Sequence, residues 1–90
     1  LNAFKDAYNA IAEFNKIKEI YETRLRLEQA SKSTLDLAQL QYLNGVIGYM
    51  DLLDAQRGYL DAQIGLSNAV RDKQISMVNL YKALGGGWKE

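Results

Sequence analysis

Ninety residues allow one small domain, and a chain of that size buries a limited core without staples or partners. The absence of cysteine and histidine removes disulfides, cysteine metal sites, the commonest general base and the commonest metal ligand, which argues against an enzyme. Eleven basic and eleven acidic residues balance, leaving no net field to draw nucleic acid or an anionic membrane. No uninterrupted apolar run reaches the roughly 18 residues that a membrane-spanning helix needs. The opening "LNAFKDAYNA" carries charge early, has no initiator methionine and shows no signal peptide, so the chain is expected to be a piece of a longer protein.

The first predicted element is a helix over about 2–43, a stretch that holds neither Gly nor Pro. Phe4, Ile11, Lys18 and Leu25 form one row at seven-residue spacing, and Phe14, Tyr21, Glu28, Leu35 and Tyr42 form another. Together they resemble the a/d seam of a coiled coil, interrupted by Lys18 and Glu28. Acid–base pairs at i, i+4, Glu22–Arg26 and Glu28–Lys32, are expected to support exposed helix surface. A tip turn over about 44–48 follows, where Asn44-Gly45 suits a left-handed C-cap.

A second helix is predicted over about 49–84, with a Gly-rich exit at 85–90. Met50, Leu53, Leu60, Ile64, Val78 and Tyr81 keep an a/d pattern, with Arg57, Ser67, Arg71 and Gln74 intruding. Beside it runs a stricter row of small residues, Ala55, Ala62, Ala69, Ser76 and Ala83, which lets a neighbouring backbone come close. Leu52, Tyr59, Leu66 and Leu80, with Lys73 between, make a third row. A two-helix hairpin needs one apolar stripe per helix. Nearly three stripes on one helix point to a multi-helix assembly of near-parallel helices, and to self-association of the isolated chain.

Asp51 and Asp54 share a helix face just after the break. Acids near a helix N-terminus complement its dipole, which is the plain reading. A catalytic carboxylate pair would need a pocket and substrate-binding groups, whereas Met50, Leu52 and Leu53 beside them look like packing residues. A metal site would need a third ligand that helical spacing does not provide. If several copies converge here, each acid instead becomes a ring lining an opening. The aromatics fall mostly within the apolar rows and read as core, with Tyr42 and Tyr49 flanking the turn. "GGGWKE" lacks both the strand before and the Lys-Ser/Thr after that a phosphate loop requires, so nucleotide binding is rejected.

The stretch "YLNGVIGYMDLLDAQRGYLDAQ", followed by "VNLYKALGGGW", resembles the outer-membrane efflux protein family, the TolC-like outer-membrane factors of tripartite pumps. The resemblance is strongest over Tyr42–Trp88, and the preceding helical pattern fits the long helix of the same repeat. It implies an all-α fold: a long antiparallel, coiled-coil-like helical hairpin, part of a trimeric α-helical barrel in the periplasm. The family's β-barrel strands, its membrane contact, would lie outside this chain. By the same resemblance Asp51, Asp54 and Met50 line the channel constriction, Asp54 being the position shared by more members. Leu43, Asn44, Gly45 and Val46 would form the tip that meets a periplasmic adaptor protein, and Tyr42 would hold the closed mouth. Ile47 stands where some members carry a basic residue, which implies a different polar lock.

The expected function is therefore a non-enzymatic part of an efflux or secretion channel, a homotrimer working with an adaptor and an inner-membrane pump, without cofactor, metal or nucleic acid. The alternative is a self-contained hairpin that dimerises into a four-helix bundle.

Overall fold

The computed structural model describes residues 2–85. They form an all-α antiparallel helical hairpin of two helices, α1 (Asn2–Leu43) and α2 (Tyr49–Gly85), with no strand among the described residues. Gly85 is the last helical residue, and the rest of the expected Gly-rich exit, 86–90, lies outside the described residues.

The break between the helices is a hydrogen-bonded stop. The Val46 amide donates to the Gln41 carbonyl at 2.8 Å and the Gly45 amide to the Tyr42 carbonyl at 3.1 Å, the paired bonds of a Schellman motif. Gly45 takes φ +74° there, the left-handed conformation that closes the motif without a Cβ clash. The Leu40 carbonyl accepts twice from Asn44, from its backbone amide at 3.1 Å and from its side-chain Nδ2 at 3.0 Å, so one residue ties the last turn down through both its amides. On the far side, the Gly48 carbonyl accepts from the Leu52 amide at 3.3 Å, so Gly48 is the N-cap of α2. Ile47 and Leu52 then occupy the two positions of a hydrophobic staple, half-buried and buried.

Packing divides the chain into two compact units, Thr23–Ser67 around the turn, and the residues up to Glu22 with those from Asn68 onward. In the turn unit, Leu25, Glu28, Ser31, Leu35 and Ala38 of α1 face Leu52, Ala55, Tyr59, Ala62 and Leu66 of α2. In the other unit, Ala7, Ala10, Phe14, Ile17 and Tyr21 form the inward face of α1, and Ala69, Val70, Lys73, Ser76, Leu80 and Ala83 that of α2. The seam thus runs along the small-residue row of α2 and the Leu52–Leu80 row beside it. It does not run along Met50, Leu60, Ile64, Val78 and Tyr81, all exposed, nor along Phe4, Ile11 and Lys18 of α1. In the turn unit the alanines leave room for Leu25, Leu35, Leu52 and Leu66, which supply the dispersion contact.

The consequence is a thin core. Buried apolar positions among the described residues are Ala38, Leu52, Ala62 and Ala69, so Leu52 is the one large side chain there. An alanine methyl contributes about 0.8 kcal/mol on burial, against about 1.5–3 kcal/mol for leucine. Among the described residues nineteen large apolar or aromatic side chains stay exposed, Phe4 and Leu43 at 80% and Met50 and Tyr81 at 69% among them. That is far more apolar surface than one hairpin covers, and it marks contact surface.

Two polar interruptions of the rows, Glu28 and Lys73, meet a tyrosine of the facing helix. Glu28 accepts a 3.0 Å hydrogen bond from the Tyr59 hydroxyl in the turn unit. It lies on the inward face, so the expected surface pair with Lys32 does not form, and Arg26 contacts Thr23 Oγ1 at 3.5 Å instead of pairing with Glu22. In the other unit the Lys73 ammonium lies 4.3 Å from the Tyr21 ring centroid, a cation–π contact of about 0.5–1 kcal/mol. Arg71–Asp72, 3.5 Å apart and well exposed, adds little.

Two glycines separate turn geometry from helix propensity. Gly45→Ala forces an L-residue into φ +74° and is expected to cost about 1–2 kcal/mol. At Gly58, inside α2, a Cβ meets nothing within 4 Å, so Gly58→Ala should stabilise by up to about 1 kcal/mol. Urea unfolding followed by helical circular dichroism checks both signs. The isolated chain is expected to self-associate through its exposed apolar faces, which light scattering across a concentration series reads directly.

Candidate functional site

The last turn of α1, the turn after it and the first turns of α2 carry the site residues singled out in the sequence. At about 100° per residue, α2 within the turn unit presents three sectors. Leu52, Ala55, Tyr59, Ala62 and Leu66 point at α1. Tyr49, Leu53, Leu60 and Ile64 make an apolar sector. Asp51, Asp54, Gly58, Asp61 and Gly65 fall within about 100° of arc, with Met50 at its apolar border. The structure therefore brings Asp51, Asp54 and Met50 to one side of α2, all three exposed.

The two acids differ in what they touch. Asp51 Oδ2 accepts from the Gly48 amide at 3.4 Å, a long bond reaching back from the third helical position to the N-cap. Asp51 therefore does what an acid in the first turn does anyway, answering the open amides and the positive end of the helix. Asp54 makes no hydrogen bond or ion pair among the described residues and is free to act on whatever approaches.

Asp54 stands at the edge of an open cleft of about 300 Å³ between the helices of the turn unit. Ser31 and Thr34 of α1 line it opposite Asp54, Gly58 and Tyr59 of α2. Leu27, Ala30, Ala55 and Gly58 make most of its lining apolar, with the Asp54 carboxylate and the Ser31 and Thr34 hydroxyls among it, while the Tyr59 hydroxyl is taken by Glu28. Such a surface offers a few hydrogen bonds beside one carboxylate, but it sets no nucleophile beside a base. No group of three or more metal-ligating residues occurs among the described residues, and none of the described helices is long and apolar enough to cross a membrane.

At the tip, Leu43 (80% exposed) and Val46 (67%) project apolar side chains on either side of Asn44 and Gly45. The rings of Tyr42 and Tyr49 meet within the hairpin at 5.9 Å between centroids and 54° between planes, a tilted aromatic pair across the turn. Both rings keep open surface, at 39% and 57% exposure, so Tyr42 has a partner in its own hairpin and room for another.

Sequence reasoning missed Tyr59, Ser31 and Thr34 as neighbours of Asp54. The available signal was Glu28, an acid in an inward-facing row, which needs a donor from the facing helix. The Tyr59 hydroxyl is that donor. Its bond to Glu28 holds the phenol protonated and raises its pKa above the ordinary 10.0, with burial and the charges of Glu28 and Asp36 acting the same way. A raised folded pKa means that this contribution to stability is complete below about pH 10 and is lost as pH rises through the folded value. In an ultraviolet tyrosinate titration, Tyr59→Phe should remove a component ionising above the ordinary phenol range. Glu28→Gln should move that component back toward 10.0.

Comparison with known proteins gives a consistent answer. The model of the outer membrane efflux protein family matches residues 1–86. The probable outer membrane lipoprotein SilC of Salmonella typhimurium is 32% identical over 89 residues, 99% of this chain and 19% of that protein. The outer membrane protein OprJ of Pseudomonas aeruginosa is 33% identical over 88 residues, 98% of the chain and 18% of its own length. The toluene efflux pump outer membrane protein TtgC of Pseudomonas putida is 36% identical over 88 residues, with the same two shares. The chain spans about a fifth of the length of these relatives. No solved structure matches it.

Proposed function

Since the chain belongs to the outer membrane efflux protein family, we propose that it is a helical-hairpin segment of an efflux channel, forming part of a periplasmic tunnel and its acid-lined mouth. The carrying observation is the three-sector pattern of α2: one sector is used by α1, one is apolar and uncovered, and one carries acids. A hairpin built into a wall of parallel helices needs this division. The apolar sector, with Tyr49, Leu60 and Ile64, packs the next helix of the wall, and the acid sector faces the bore. The relatives named for efflux support the wider reading, and the substrate, like the assembly partners, belongs to the whole protein. No catalytic group is required of the segment, because the energy comes from an inner-membrane pump.

In this reading three chains converge at the tip. Asp54 of each, free of partners, forms the ring that selects for cations, with Met50 narrowing the bore at the edge of the acid sector. Asp51 contributes charge while its carboxylate also caps α2. Mutual repulsion is modest: two carboxylates about 10 Å apart in water repel by about 0.4 kcal/mol, so three pairs supply roughly 1 kcal/mol. The Tyr42 and tip contacts therefore decide whether the mouth is shut, and the acid ring biases it open. The apolar pair Leu43 and Val46, presented by Asn44 and Gly45, docks on a periplasmic adaptor.

Asp54→Asn in the full-length protein, reconstituted in a planar bilayer, should lower cation-over-anion selectivity severalfold while keeping the protein assembled. Asp51→Asn should also cost helix stability by about 0.3–1 kcal/mol through the lost cap. Unchanged selectivity in Asp54→Asn would remove this residue from the bore.

A further inference from the structure

The small-residue rows that bring α1 and α2 together have a property that a hairpin must overcome. Ala55 and Ala62 repeat at seven residues on α2, as Ser31 and Ala38 do on α1. Sliding one helix past the other by one heptad therefore sets small residues against small residues again, and the seam scarcely distinguishes the two registers. The side chains that do distinguish them are the row interruptions. In the turn unit Glu28 accepts from Tyr59 at 3.0 Å. In the other unit Lys73 stands 4.3 Å over the Tyr21 ring.

We propose that Tyr59–Glu28 and Tyr21–Lys73 are register locks, each holding its own unit of the hairpin in the single helix alignment that pairs a charged side chain with a tyrosine across the seam. A one-heptad slide in one direction puts Leu52 in place of Tyr59 beside Glu28 and Leu66 in place of Lys73 beside Tyr21, so the half-buried carboxylate faces an aliphatic side chain with no donor, the costly outcome for a polar group. The opposite slide puts Leu80 beside Tyr21 and brings Lys73 to Glu28, trading the two tyrosine contacts for one ion pair. Either way Lys73 gives up the ring face. This is how a polar residue in an apolar seam specifies alignment at some expense of stability. The Schellman turn fixes register at the tip itself, but a longer loop costs little closure entropy, so the turn alone is a weak guard for the helices beyond it.

The test takes the turn out of the comparison. Seven Gly/Ser residues are inserted after Gly45 in the full-length protein, once with both pairs intact and once with Glu28→Leu and Lys73→Leu. Nitroxide labels on Gln39→Cys and Gln63→Cys, exposed and staggered along the axis, report the alignment by pulsed electron spin resonance, in samples diluted with unlabelled copies. With the pairs intact, one narrow distance is expected despite the longer loop. With both leucines, a second population should appear, displaced along the axis by about 10 Å, the rise of seven helical residues. A single shared distance in both proteins would overturn the proposal, because the remaining contacts would then suffice. Two populations in both would overturn it equally. So would loss of helicity in the leucine variant, since the pairs would then be holding the fold and not choosing its register.

Discussion

The close approach of α1 and α2 through small side chains is the constraint from which the rest of the molecule follows. In the turn unit Ala38, Ala62 and Leu52 are the buried apolar side chains among the described residues, and in the other unit Ala69 is, so the seam buries little apolar area. Leu25, Leu35, Tyr59 and Leu66 enter the seam only in part, and many other large side chains stand on the remaining faces. Met50, Leu60, Ile64, Val78 and Tyr81 are exposed there. The hairpin therefore carries much of its apolar surface on faces turned away from its own partner helix.

The same narrowness explains why polar residues sit where they do. In a wide leucine seam, Glu28 or Lys73 would lie deep and lack room for a partner. Between helices spaced by alanines, a long side chain reaches the seam's edge, where a tyrosine from the facing helix meets it. Each pair joins a flexible charged chain to a rigid ring, which limits the entropy lost in holding the contact. The Tyr59–Glu28 bond stands beside the cleft that Asp54 borders, so seam polarity and the acid face meet in one place.

The hairpin was legible in the sequence because its signals are local: no Gly or Pro from Asn2 to Leu43, then Asn44-Gly45 as a stop. Gly45 at φ +74° and the bonds to Gln41 and Tyr42 are the physical content of that signal. The seam was harder to read. Hydrophobicity favoured Met50, Leu60 and Tyr81, whereas the helices meet along Ala55, Ala62 and Ala69, where size outweighs hydrophobicity. The sequence pattern contains both rows and does not say which one the partner helix takes and which is kept for other neighbours. Glu28 misled for the same reason, since i, i+4 spacing to Lys32 counts distance along one helix and ignores the helix opposite. Around Asp54, the hydroxyls of Ser31 and Thr34 come from another part of the chain, and only the register of the hairpin brings them near.

The register also bears on the two acids, which periodicity alone left equivalent. Asp51 lies one turn from the end of α2, and its carboxylate turns back to the Gly48 amide. Asp54, a turn further in, is beyond reach of any open amide and has no ion-pairing partner among the described residues. A carboxylate engaged by a helix end has part of its charge answered locally, whereas a free one projects its full field into solvent. One face of one helix thus holds an acid that builds the tip and an acid that the tip puts on display. The difference between the two acids is therefore one of position along the helix: three residues decide whether a carboxylate is spent on the helix end or left open to solvent.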